Sequence, residues 1–340
     1  MLTYAIWNNK GGVGKTSLTF QAVCRYAENN PDKRILAIDM CPQANLSELF
    51  LGGSEQDGRE RLFHRQNATP RCSIGGYFDV RILSAYQVPE FNATDFITQL
   101  HLYSPHIPKT IDLVCGDQLL ELQAIAMNSL ANLRLPGVNT WLTVIDWLRD
   151  FLAQINDRYD LVFIDTNPSF SIYTQIVLAA ADRIVLPILA DYTARHVVQN
   201  VLSLIYGIKL PSKVYESYAF VNQMKQVYRS PPKIHLILKN RMIQRKDIKS
   251  TYMDPLPNVD STLKNLIKSY PEYLTFKKVS DGVVDICDFG ITGLRAFARS
   301  VPFSKMPDGE WLKSACRDPS VPFVPLDCLL ANMDNFVKKL

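Results

Sequence analysis

The segment TYAIWNNKGGVGKTSLTF, residues 3–20, passes from a short apolar run through a glycine-rich loop into helical periodicity. Few arrangements constrain a fold more. A glycine turn between strand and helix points backbone N–H groups inward at the positive end of the helix, which makes an anion nest. Gly11, Gly12 and Gly14 permit close backbone approach, Lys15 reaches the β- and γ-phosphates of a nucleotide, and the Thr16 hydroxyl ligates Mg²⁺. A tight turn without a ligand is the bland alternative. The strand before the loop and the helix after it argue for the phosphate reading.

The rest of the chain repeats the strand–helix alternation. SLTFQAVCRYAENN (17–30) reads as a helix with Leu18, Ala22 and Tyr26 in line, and RILAIDM (34–40) as a strand covered on both faces. Strands are expected at 111–116, 159–169, 182–189 and 233–240, with an edge strand at 273–279. Helices are expected at 117–133, 139–155, 172–181, 194–207, 215–229, 291–300 and 326–340. SYAFV, inside 215–229, also fits a strand. Residues 52–110 are polar and rich in breakers, a loop region with short helices. The pattern is an α/β fold, a doubly wound and mostly parallel sheet flanked by helices. No internal repeat or low-complexity linker is visible, so one domain over 1–340 is expected. It carries an elaborated insertion at about 52–140 and a C-terminal helical extension at about 280–340.

No run approaches 18 apolar residues, and the start of the chain lacks a signal-peptide pattern. Seven cysteines are scattered with no C-x-x-C, and the histidines lack metal-ligand spacing, HLYSPH (101–106) being the closest pair. This is the profile of a reduced, cytoplasmic chain. The net charge of +4 is uneven. Residues 209–249 hold ten Lys/Arg against Glu216 and Asp247, a local +8 that leaves −4 elsewhere. Such a block suits a polyanionic partner.

The loop departs from G-x-x-x-x-G-K-[ST], because Asn9 stands where the first glycine would fall. It reads K-G-G-V-G-K-T instead, with a second lysine, and so resembles the deviant Walker A loop of the ParA/MinD family of dimerising P-loop ATPases. The resemblance implies ATP and Mg²⁺ as cofactors, with Lys10, Gly11, Gly12, Val13, Gly14, Lys15, Thr16 and Ser17 around the nucleotide. It also implies that Lys10 crosses into the partner's site of an ATP-bound homodimer. AIDMCPQANLS (37–47) is similar to the family's switch I pattern, I-D-x-D-P-Q-G-N, at Asp39, Pro42, Gln43 and Asn45. Cys41 replaces the second aspartate, which in the family orients the attacking water. A thiol is a weaker acceptor and is protonated at neutral pH. Asp39 keeps the metal-side role, and Gln43 is a candidate to orient a water. Thus Lys10, Lys15, Asp39, Cys41 and Gln43 form the implied catalytic set.

YDLVFIDTNPSF (159–170) resembles the Walker B and switch II segment, with Asp165 at a strand end holding Mg²⁺. LILKNRM (236–242) resembles the family's later strand whose Asn/Arg end lies beside the adenine, which implies that Asn240 pairs with the base edge and Arg241 stacks on it; Asn222 competes if SYAFVN is the strand. The resemblance rests on residues 3–50 and 155–242.

Members of the family bind DNA non-specifically through C-terminal basic residues. Here the candidates are Lys225, Arg229, Lys233, Arg245, Lys246 and Lys249, with Tyr215, Tyr218 and Tyr228 interleaved; a solvated face is the alternative. The apolar stripe of 326–340 suits core packing better than a membrane-binding helix, since its polar face carries Lys338 and Lys339 but also two aspartates. The sequence thus leads to a ParA-like partition ATPase working with a ParB-like or other adaptor, in the cytoplasm and on the nucleoid. An ATP-gated scaffold with little hydrolysis is the second reading, and a MinD-like membrane switch the third.

Overall fold

The computed structural model describes residues 1–189, 194–242, 259–307 and 324–340. Eight strands, β1 (Leu2–Ile6), β2 (Ile35–Met40), β3 (Ile97–Gln99), β4 (Ile111–Val114), β5 (Leu161–Thr166), β6 (Arg183–Leu189), β7 (Lys233–Met242) and β8 (Val283–Cys287), form one sheet in the order β3-β4-β2-β5-β1-β6-β7-β8. All pair in parallel except β3, a short antiparallel edge on β4. The chain leaves β1 toward β5 and β2 on one side and toward β6 on the other. The loop after β1 therefore sits at the topological switch point, where ligands of open α/β sheets bind.

Period-two alternation sorts side chains onto the two faces. Tyr4 and Ile6 of β1, Ala37 of β2 and Phe163 of β5 face one layer, built by α1 (Lys15–Asn29), α2 (Asn45–Phe50), α13 (Gly290–Arg299) and α14 (Leu326–Val337). Ala5, Ile38 and Ile164 face the other. That layer includes α4 (Ile74–Leu83), α5 (Leu120–Ala131), α6 (Thr140–Ile145), α7 (Trp147–Gln154), α8 (Ile172–Ala180), α9 (Ala194–Tyr206), α10 (Phe220–Gln226) and α11 (Val259–Ser269). The remaining helices, α3 (Gly58–Gln66) and α12 (Val279–Gly282), are short connectors.

Several elements differ from the sequence expectation. Residues 273–279 do not form the edge strand; Leu274 makes only an isolated bridge to Ile234. VVDIC, with Val284 and Ile286 buried and Asp285 exposed, alternates correctly and takes that place as β8. The expected helix 139–155 is broken at Asp146, whose carboxylate receives Arg229 and Arg149. The segment 215–229 becomes a two-turn 3-10 helix at Lys213–Tyr218 followed by α10, and SYAFV is not a strand. The stretch 52–110 contains α3, α4 and β3.

The last helix packs on the core rather than standing free. Leu329, Met333, Phe336 and Val337 are buried. On its rim, Asp334 accepts from Arg25 Nε and Nη2 of α1 at 2.7 and 2.8 Å, and from Asn29 Nδ2 at 2.9 Å. The Arg25 hydrogen bond holds the Asp334 carboxyl below its ordinary range. A depressed carboxylate contributes stability that is present above its unfolded pKa and is lost as pH falls through the folded one. Asp334→Asn is expected to lower stability at pH 7 by about 1 kcal/mol or less, since both partners are partly exposed and screened. Denaturation of both proteins at pH 7 and pH 3 checks this, and the difference should be smaller at the lower pH.

Candidate nucleotide site

The loop between β1 and α1 is shaped by two positive backbone angles, φ 71° at Gly12 and 84° at Gly14. A Cβ on Gly12 would meet nothing within 4 Å, so its conformation and not its packing demands glycine. Gly14 is also crowded: a Cβ there would lie 2.5 Å from Asn240 Nδ2. Gly14 is the N-cap of α1 and supplies no side-chain acceptor, and the first turn carries no acidic residue. The orphan N–H groups of a 15-residue helix thus face the loop uncompensated, which is the condition for anion binding.

Asn8, fully buried, sets the loop's exit from the sheet. Its Oδ1 accepts from Lys10 N at 2.7 Å and its amide donates to the Pro187 carbonyl. Lys15 is 7% exposed, and its ammonium donates to the carbonyls of Asn8 (3.3 Å) and Lys10 (3.1 Å). Burial pushes its pKa down, and Asp165 opposes that shift. A cation held against neutral carbonyls is ready to accept a phosphate. Lys10 and Ser17 are half-buried, Gly11 exposed and Val13 buried.

Asp39 and Asp165 are paired residues on adjacent strands β2 and β5, both fully buried. Asp39 Oδ2 accepts from Ser47 Oγ (2.7 Å) and Ser47 N (2.9 Å), and its Oδ1 accepts from Cys41 N (3.1 Å). Ser47, whose Oγ also receives Gly116 N at 2.8 Å, was not singled out from sequence, because a lone serine in a helix has no distinctive spacing. Asp165 Oδ2 accepts from Thr16 Oγ1 at 2.7 Å, while its Oδ1 is buried with no hydrogen-bond partner. Burial first, and the neighbouring Asp39 charge second, raise the Asp165 carboxyl. Burial likewise raises Asp39. An orphaned carboxylate oxygen, a second carboxylate beside it and the Thr16 hydroxyl match the oxygen donors of a Mg²⁺ that keeps several waters. Thr16 and Asp165 would hold the ion, with Asp39 behind them.

Burial first, then Asp39, push the Cys41 thiol up to about 12, so it is protonated and cannot act as a base at neutral pH. Gln43 and Asn45 are exposed beside it. Ala44 occupies the left-handed region at φ 50°, where the family pattern has glycine. Asn240, at the end of β7, donates Nδ2 to the Val13 carbonyl at 2.9 Å and so braces the loop. It also lines a cavity of about 190 Å³ bounded by Gly14, Ser17, Asp288, Phe289 and Phe297, large enough for a base beside the phosphate loop. Asn222, its competitor, lies on α10 and donates to the Glu216 carbonyl. The Arg241 side chain, and Arg245, Lys246 and Lys249, lie outside the described residues. Lys225 and Lys233 are exposed, whereas Arg229 is paired with Asp146.

This fold and this loop define a P-loop nucleotide-binding protein. A family model described as "AAA domain" matches residues 1–215, more than half of the chain. The chromosome-partitioning ATPase Soj of Thermus thermophilus is 29% identical over 205 residues, covering 60% of this chain and 61% of its own. A Pseudomonas putida relative is 29% identical over 197 residues, and the chain spans only 57% of that protein's length. Among solved structures, McdA from Cyanothece in complex with ATP superposes with a TM-score of 0.60 at 13% identity, covering 99% of this chain and 96% of its own. The chain belongs to the ParA/MinD-like P-loop ATPases.

The raised Asp165 carboxyl carries a sign. Its ionised form costs stability above the ordinary aspartate range, and the cost fades as pH falls and the group protonates. Asp165→Asn keeps an acceptor for Thr16 but removes that charge. It is expected to raise the apo melting temperature at pH 8 by a few degrees, with a smaller gain at pH 5, and to weaken Mg²⁺-dependent nucleotide binding at least tenfold. Calorimetric melting and nucleotide titration with and without Mg²⁺ check the two halves.

Proposed function

We propose that this chain is an ATP-driven dimerisation switch of the ParA type that binds DNA without sequence preference and positions DNA or another cargo. The observation that carries the reading is the pairing of Asp39 with Asp165 beside Thr16, at the foot of a glycine loop whose helix start is uncompensated. Lys15 and the loop N–H groups would hold the phosphates, and Thr16 with Asp165 would hold Mg²⁺, which when bound would supply charge neutralisation at the phosphoryl group. Lys10 acts from the partner protomer, where a cation neutralises phosphate charge only once ATP is enclosed between two subunits. Exposed Lys225 and Lys233 with Tyr215, Tyr218 and Tyr228 contribute to the polyanion face. An adaptor of the ParB type accelerates turnover. A Soj relative described as a chromosome-partitioning ATPase, and a solved neighbour holding ATP, support this reading.

The protonated Cys41 supports a second reading, in which ATP closes a long-lived dimeric scaffold and little is hydrolysed. Steady-state hydrolysis with and without duplex DNA separates the two. Turnover stimulated by DNA supports the working enzyme, and tight binding without turnover supports the scaffold. Failure to bind ATP·Mg at all would sink both. Two variants add resolution. Lys10→Ala is expected to keep monomeric ATP binding within about threefold but to lose the ATP-dependent dimer in light scattering. Cys41→Asp is expected to raise turnover at least tenfold; no gain would remove position 41 as the reason for slow chemistry.

A further inference from the structure

Cys287 ends β8, and Cys328 sits in the first turn of α14, on the layer that covers α1. Their sulfurs are 3.7 Å apart. Asn332, one turn along from Cys328, clasps both backbones. Its Oδ1 accepts from Cys287 N at 2.9 Å, and its Nδ2 donates to the Cys328 carbonyl at 2.8 Å. The strand end and the helix are thereby held at fixed separation, with the sulfurs less than 2 Å beyond the bonding distance of about 2 Å. The other described thiols lack this arrangement. Cys72 and Cys115 each contact the Thr98 hydroxyl (3.5 and 3.6 Å), Cys24 is fully buried, and Cys41 lies beside Asp39 at the loop. Cys287 is buried, while Cys328 is half-buried and the more exposed of the two.

We propose that Cys287 and Cys328 are an oxidisable pair that closes into a reversible intramolecular disulfide under a low-molecular-weight disulfide such as oxidised glutathione. The accessible Cys328 thiolate attacks one sulfur of the oxidant and expels one glutathione thiolate, leaving a mixed disulfide. Cys287 then gives up its proton to that thiolate and attacks the Cys328 sulfur, expelling the second glutathione. Two protein thiols are oxidised and one glutathione disulfide is reduced to two thiols. Burial first, and the neighbouring Cys328 second, push the Cys287 thiol up, which suits it to the resolving role; the greater exposure of Cys328 suits it to the first attack. The bond ties the sheet edge to the helix that Asp334 anchors on α1. It also fixes the strand end that leads directly into Asp288 and Phe289 at the cavity beside the phosphate loop. The proposal stands apart from the nucleotide reading, whose failure would show in ATP binding by the reduced protein.

The test is incubation of the full chain with a series of oxidised-to-reduced glutathione ratios, followed by intact mass and non-reducing peptide mapping. The expected product has lost two hydrogens, carries a peptide joining positions 287 and 328, and reverts with dithiothreitol. Cys328→Ser and, separately, Cys287→Ser should abolish it, while Cys316→Ser should not. Oxidation should raise the melting temperature of the wild type by a few degrees and leave that of Cys328→Ser unchanged. A stable glutathione adduct with no internal bridge, a bridge to Cys316 or another thiol, or no reaction at any ratio would each overturn the proposal.

Discussion

Two ionisable carboxylates stand side by side at the ends of β2 and β5, out of contact with water, and the organisation around the phosphate loop answers to them. Isolated, such a pair is unfavourable, because burial and mutual repulsion both penalise ionisation. Local donors offset part of the penalty: Ser47 and the Cys41 N–H for Asp39, and Thr16 for Asp165. What remains uncompensated is one oxygen of Asp165. The site is therefore built with an unmet demand for positive charge, and it stands next to a loop with an unmet demand for negative charge. A magnesium ion together with a nucleotide phosphate, as proposed, would satisfy both.

The loop and the carboxylates are coupled through rigid elements. Parallel pairing of β1 with β5, and of β5 with β2, fixes Asp165 and Asp39 relative to the residue from which the loop departs. Asn8 and Asn240 then hold the loop from its two sides, through the Lys10 N–H and the Val13 carbonyl. Lys15, deep in the loop, is retained by backbone carbonyls rather than by a carboxylate, so its charge stays available. Cys41 is the conspicuous departure. It sits where the family's water-orienting carboxylate belongs, and its surroundings keep it neutral. On the proposed function, binding machinery and turnover machinery would thus be separable in this chain.

Much of this was legible before any coordinates. The glycine string, the apolar runs ending at Asp39 and Asp165 and the alternation of strands with helices are local signals, set by backbone conformation and burial period. The burial of the last helix followed from its mixed charges. Legibility failed where the deciding factor was non-local. YLTFKKV has β-forming composition, but VVDIC presents the alternation that matches β7, and it occupies the edge. The helix over 139–155 looks continuous in periodicity, and the break comes at Asp146, which pairs with Arg229 some 80 residues later. Ser47 and Asn8 carry no sequence signature because their work is to satisfy groups brought near them only by folding.

By itself the sequence determined the glycine loop with its two lysines, the aspartates at two strand ends, and the α/β class. Each is written in a few contiguous residues whose spacing and chemistry leave little choice. Tertiary structure decided which asparagine braces the loop, which basic residues are exposed and which are paired, which strand closes the sheet, and that Cys287 meets Cys328. These outcomes depend on segments 40 to more than 200 residues apart in sequence meeting in space, and no local pattern encodes the distance between them.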